Sequence, residues 1–190
     1  KSLVEDTSKT SVYLKNLIEL GIVERESSVD AGTKEKANTN RGTYRLTDNF
    51  FRFWYAFGFA NLSQLEDGDV EGVYEYLVEP ALHEFASLAF EDVCKEFVRE
   101  KKTALPFRYT KMGRWTGKTT VRDKNAESGL RVAETEIDLL GIGGGAKEYL
   151  VGECKFKHSP FDYSEYLDTV AKLTPLKGKA KFYYALFSES

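Results

Sequence analysis

Hydrophobic positions change their spacing along this chain, and the changes predict its elements. Leu14, Leu17 and Ile18, with Tyr13 a turn back, form an apolar stripe at helical spacing. Ser11, Lys15, Asn16 and Glu19 fall outside the stripe, so residues 11–20 read as a helix. Thr7-Ser8 and Thr10-Ser11 offer N-caps, and Gly21 is placed to stop the helix. Residues 22–26 and 43–46 read as short strands on either side of a polar, glycine-containing stretch. Asp48 caps a helix carrying Phe50, Phe51, Phe53, Trp54, Tyr55, Phe57 and Phe59, apolar nearly all round, which predicts a buried connector. Helices follow over about 70–78 and, with Pro80 in its first turn, to about residue 101. Phe85, Leu88, Ala89, Cys94 and Phe97 are its expected core side, and Glu84 and Glu91 share a face.

Beyond this point the period shortens to that of strands. Residues 107–110, 130–142 and 147–156 read as strands, the last two joined at Gly143-Gly144-Gly145 as a hairpin, while 112–125 is basic and polar. A helix over 162–173, with Tyr163, Tyr166, Leu167 and Val170 inward, precedes a strand at 181–187. The order α, β, β, β, α, β predicts an α/β sandwich on a mixed central sheet.

Composition narrows the class. The chain has 190 residues, 42% hydrophobic and 30% charged, which suits a soluble protein of one or two domains. No apolar run could span a bilayer, so no membrane partner is expected. Cys94 and Cys154 stand in no metal-ligand spacing with each other or with His83 and His158, and a reducing, cytoplasmic setting follows. The net charge of -3 hides an asymmetry. Residues 61–100 are strongly acidic, whereas 101–124 carry eight Lys and Arg against Asp123 alone. That basic stretch is either a polyanion contact or a solvated loop balancing the acidic helices.

The chemistry concentrates on two adjacent strands. Glu136-Ile137-Asp138 precedes the glycine turn and Gly152-Glu153-Cys154-Lys155 follows it. A carboxylate among apolar strand residues is costly unless a cation or donor compensates it. Residues two apart on a strand share a face, so Glu153 and Lys155 point together and Cys154 points into the core. Asp138, Glu153 and the backbone carbonyl of Cys154 are candidate oxygen ligands for Mg²⁺ or Mn²⁺. Lys155 is placed to orient an attacking water, and Glu91 (Glu84 in reserve) to give outer support. Two glycine motifs do not fit nucleotide loops: Gly113-x-x-x-Gly117-Lys118-Thr119 is one residue short and opens no helix, and 141–145 reads as the turn.

Asp138 and Glu153-x-Lys155 on neighbouring strands, with a helical glutamate upstream, resemble the PD-(D/E)XK nuclease superfamily. Phe90-Glu91, Gly113-Arg114-Trp115 and Glu136-Ile137-Asp138, with Tyr44-Arg45-Leu46-Thr47-Asp48 and Phe53-Trp54-Tyr55, resemble the C-terminal region of archaeal-type P-loop ATPases. Ile137 stands where the superfamily's name has proline. The resemblance covers the chain from Thr10 and implies a partial winged helix at 1–48, a helical connector at 49–79 and a restriction-endonuclease-like domain at 80–190. It further implies metal-dependent DNA hydrolysis and an N-terminal ATPase domain, absent from this chain, through which alone ATP would act. The opening at Lys1, directly into helical sequence, adds the expectation that a first winged-helix helix lies upstream. DNA contacts are expected from Lys15 on the recognition helix, Arg41 on the wing beside Lys34, Lys36, Asn38 and Asn40, and Arg108, Lys111 and Arg114 on the basic stretch. The competing readings are a salt-bridged triad in a retired nuclease, serving as a DNA-binding or regulatory module, and a pure protein-interaction domain.

Overall fold

The computed structural model describes residues 7–29, 42–122, 130–173, 176, 178 and 180–189, so Arg41 and the other predicted wing residues lie outside the described residues. The described chain forms two units, one of residues 7–27 and 42–83, the other of residues 28–29 and 84–189.

In the first unit, α1 spans Thr7–Glu19 and ends in a glycine stop. Gly21 has φ +71, its N–H donates to Ile18 O at 3.0 Å and the Ile22 N–H to Leu17 O at 3.0 Å. These two bonds satisfy carbonyls that the last helical turn leaves without partners. β1 (Val23–Ser27) and β2 (Gly42–Leu46) pair antiparallel, with Glu24 opposite Arg45 and the two side chains ion-paired. The expected stripe of α1 is corrected: Leu14 and Leu17 are half-buried, whereas Tyr13 and Ile18 are exposed.

Asp48 caps α2 (Asn49–Phe53) by accepting from the Phe50 N–H at 2.7 Å. The helix then widens to a π turn over Trp54–Gly58 and tightens to a 3₁₀ turn over Phe59–Asn61. Gly58 is required here, because a Cβ would collide with the Trp54 ring. α3 (Leu62–Glu66) and α4 (Val70–Val73) follow, then a second π turn over Tyr74–Val78. The aromatic segment is not a buried connector. Phe57 is buried, but Phe50, Phe51, Phe53, Tyr55 and Phe59 are all exposed. Rings spaced all round a helix need surroundings on every side, and this small unit supplies them on one.

α5 (Glu79–Glu100) leads into the second unit, a four-stranded sheet in the order β3 (Tyr109–Arg122), β4 (Leu130–Gly143), β5 (Glu148–Lys155), β6 (Lys181–Ser188). β3–β4 and β4–β5 are antiparallel and β5–β6 parallel, so the sheet is mixed. α6 (Tyr163–Lys172) is the crossover between the parallel strands. The basic stretch from Met112 is strand, not loop: Trp115 is buried while Thr116 and Lys118 point out, a period-2 pattern masked in the sequence by its charge. Gly113–Thr119 therefore lies wholly in β3, without the strand-to-helix turn a nucleotide loop needs. Gly145 (φ +70) and Ala146 (φ +52) turn β4 into β5 as a hairpin.

Two apolar clusters cover the sheet. Trp115, Ile137, Leu140, Ile142, Tyr149 and Val151 pack with Leu173 and Leu176, just past α6. Leu139, Leu150 and Phe107 pack with Val98 of α5. The helices present unexpected faces. On α5 the buried residues are Cys94, Lys95 and Val98, while Leu88 and Phe97 are exposed. On α6 Thr169 is buried, while Tyr163 and Leu167 are exposed.

Candidate functional site

Both helix rotations have one physical cause, a set of charged side chains directed at the sheet. Glu165, Thr169 and Lys172 occupy i, i+4 and i+7 of α6, one face of a helix. Glu165 Oε1 accepts from Lys155 Nζ at 3.0 Å, and Lys172 Nζ reaches both oxygens of Glu153 at 2.5 and 2.7 Å. Turning Tyr163 and Leu167 inward would break these pairs and strand buried Glu153 without a cation. α5 behaves alike: Glu91 pairs with Arg114, and Arg114 reaches Glu136 at 3.1 Å.

Asp138 is held by a register irregularity. Gly113 pairs with Leu140 and Trp115 with Ile137, so Asp138 and Leu139 together face Arg114 alone. Such a bulge takes a residue out of the ladder and re-aims its side chain. Asp138 Oδ2 accepts from the backbone N–H of Cys154 at 2.8 Å. The aspartate of one strand is thus fixed to the central residue of Glu153-Cys154-Lys155 on the next. Glu153 and Lys155 both meet α6, through Lys172 and Glu165.

Electrostatics tie the acids together. Burial raises Glu153 above the usual carboxylate range, the Lys172 bond opposes this, and the Asp138 charge raises it further. Burial likewise raises Glu91, Arg114 opposes it, and Asp138 again adds to the rise. Glu165 is the converse. Lys157, the Asp162 N–H and Lys155 hold its carboxyl down to about 2. It is also the reciprocal partner in a capping box with Asp162.

Among the described residues no group of three or more His, Cys, Asp and Glu side chains is arranged to hold a metal ion. The donor chemistry of Asp138 and Glu153 nonetheless fits a hard cation, and the upward pull on Glu91 and Glu153 is what a cation would relieve. Lys172 now supplies that charge at Glu153, so an ion there has to displace its ammonium.

The predicted nucleic-acid residues separate. Arg108 and Lys111 are exposed, and Lys15 is exposed beside Glu19 at 3.8 Å. Arg114 is engaged by Glu91 and Glu136. Sequence reasoning missed Lys172, Glu165 and Lys157. Asp162-x-x-Glu165 is a readable capping-box spacing, but nothing local marks Lys172 as the partner of Glu153.

No helix among the described residues is long and apolar enough to cross a membrane. No solved structure matches the chain. The chain is 32% identical over 154 residues to the uncharacterized protein MJECL04 of Methanocaldococcus jannaschii, covering 79% of this chain and 30% of that protein. Residues 54–167, which include Glu91, Asp138, Glu153 and Lys155, match the DUF234 profile, described as archaea bacterial proteins of unknown function. With this match across more than half its length, the chain belongs to the DUF234 family.

Proposed function

We propose that the second unit is a restriction-endonuclease-like domain that hydrolyses DNA phosphodiesters with Mg²⁺ or Mn²⁺. One observation carries the reading: the bulged Asp138 is hydrogen-bonded to the residue between Glu153 and Lys155. The order α5, β3, β4, β5, α6, β6 supports it. A bound divalent ion supplies Lewis acidity and a more acidic water. Asp138 and Glu153 offer it carboxylate oxygens, with the Cys154 carbonyl as a third donor. Lys155, released from Glu165, orients the attacking water and offsets phosphate charge. Glu91, braced by Arg114, supports Asp138 from α5. Arg108 and Lys111 bind backbone phosphates, and so, separately, do Lys15 of the first unit and Arg41, which makes affinity fall steeply with salt.

The whole protein is proposed to be a cytoplasmic P-loop ATPase with this region as its C-terminal part. The matched stretch is 30% of the archaeal relative, so that relative has length enough for a further domain. A second reading is favoured by the ion pair of Lys172 with Glu153: a site neutralised by its own lysine suits a non-catalytic DNA-binding, regulatory or interaction module.

Plasmid nicking with and without Mn²⁺ separates the readings. The hydrolase reading expects metal-dependent nicking, lost in Asp138→Ala and Lys155→Ala with DNA binding intact. DNA binding without cutting, together with no heat of Mn²⁺ binding by calorimetry, overturns it in favour of the regulatory module. Absence of both activities favours the interaction domain.

A further inference from the structure

Between α5 and β3 the second unit holds a cleft of about 620 Å³, a size usual for small-molecule sites. It is formed by the segment that turns from the helix into the sheet. The Lys101 N–H donates to Phe97 O at 2.9 Å and the Ala104 N–H to Lys101 O at 2.8 Å, which curls the chain past the end of α5. Phe107 then fixes the turn to the core. It is buried, stacks on Tyr183 of β6 at 5.4 Å between ring centroids, and lies so close to Gly143 that a Cβ there would meet its ring at 2.9 Å. The wall is thus held before any ligand arrives, which lowers the ordering cost of binding.

The lining is chemically divided. Lys102 and Arg108 supply two cations, Thr103 and Tyr109 two hydroxyls, and Leu105, Pro106 and Phe107 an apolar wall. No Asp or Glu lies between Glu100 and Asp123, and among the described residues neither Lys102 nor Arg108 has an ion pair. That sets them apart from Lys155, Lys157 and Lys172, each of which answers a glutamate. Two like charges on one cleft repel each other, and an anion between them removes the repulsion. Arginine suits a phosphate in particular, because its planar fork can donate two parallel bonds. The wall is short and made largely of rings, which suits stacking of a planar body more than burial of an alkyl chain.

We propose that this cleft binds a nucleoside 5′-monophosphate, with the phosphate between Lys102 and Arg108 and the base against the ring-lined wall. Thr103 and Tyr109 donate from their hydroxyls to phosphate or ribose oxygens. Of the residues given a role in hydrolysis the cleft uses Arg108 alone, and binding here needs no metal. A phosphate at the 5′ end of a DNA strand offers the same group as a free nucleotide.

The test measures AMP binding to the chain by equilibrium dialysis in EDTA, so the outcome is independent of any metal-dependent hydrolysis. One site per chain is expected, with adenosine and inorganic phosphate each binding at least about tenfold more weakly, since each lacks one of the two contacts. Lys102→Gln and Arg108→Gln should each weaken AMP about tenfold. Both side chains are exposed, so urea denaturation of these variants should match the native chain. No binding at millimolar AMP, inorganic phosphate binding as tightly as AMP, or affinity that survives in the Lys102→Gln/Arg108→Gln double variant would overturn the proposal. A second arm uses a short DNA strand with and without its 5′-phosphate. Tighter binding of the phosphorylated strand than of AMP assigns the cleft to strand ends, and tighter binding of AMP assigns it to free nucleotides. A strand bound equally with and without that phosphate, and more tightly than AMP, counts against the cleft.

Discussion

The two units handle hydrophobic side chains in opposite ways. The first is rich in rings and buries few of them: Phe57 is 8% exposed, whereas Phe50 is 67% and Tyr76 77%. The second is built on aliphatic strand residues, with Ile137, Leu139, Leu140 and Val151 at 0%. Aromatic richness is therefore a poor guide to where this chain is stabilised. What counts is whether neighbouring elements surround a side chain, and a four-stranded sheet with helices does that better than a string of short helical turns.

The sharpest test sets one position from each unit side by side. Leu139→Ala should cost about 3 kcal/mol in urea denaturation, because the removed methyls leave a cavity between α5 and the sheet. Phe50→Ala should change stability by no more than about 0.5 kcal/mol, as an exposed substitution does. Equal losses would break the contrast.

A smaller effect is expected at the polar seam. Lys172→Ala leaves the buried Glu153 carboxylate without its cation and should cost about 2 kcal/mol. Lys172→Met with Glu153→Gln should recover most of that in the same denaturation assay. Asp48→Ala removes the α2 cap and should cost about 1 kcal/mol. Seen by circular dichroism, the loss should be confined to melting of the first unit.

The smallest effect concerns pH. Glu165 is held down to about 2 from its ordinary 4.5, so the folded state favours its ionised form. Its contribution is complete above about pH 4.5 and disappears as pH falls toward about 2. Glu165→Gln should flatten that part of the acid-stability curve. An unchanged curve would remove Glu165 from the seam.

Much of the second unit was legible because local signals agreed with the packing. The glycine hairpin, the strand–helix order and the alternation at Glu153-Cys154-Lys155 follow from short-range spacing alone. The helix faces were not legible. Hydrophobic spacing turns Tyr163 and Leu167 inward, but Glu165 and Lys172 answer charges on β5, and those partners are distant in sequence. The same blindness hid the partners of Arg114, which reads as a phosphate contact and is braced between Glu91 and Glu136, distant from it in sequence. The strand from Met112 was hidden because its outward positions carry charge, which obscures the alternation.

The extra residue in β4 has a consequence for parity. Ile137 and Leu140 are three apart, an odd step that would put them on opposite sides of a regular strand, yet they share one cluster. The bulge is a phase change that lets a single strand keep the same lining before and after it while freeing Asp138. Deleting one residue at 138–139 would therefore leave Ile137 and Leu140 two apart, the same-face step of a regular strand. The lining would survive on both flanks, and what would be lost is the phase change that frees Asp138.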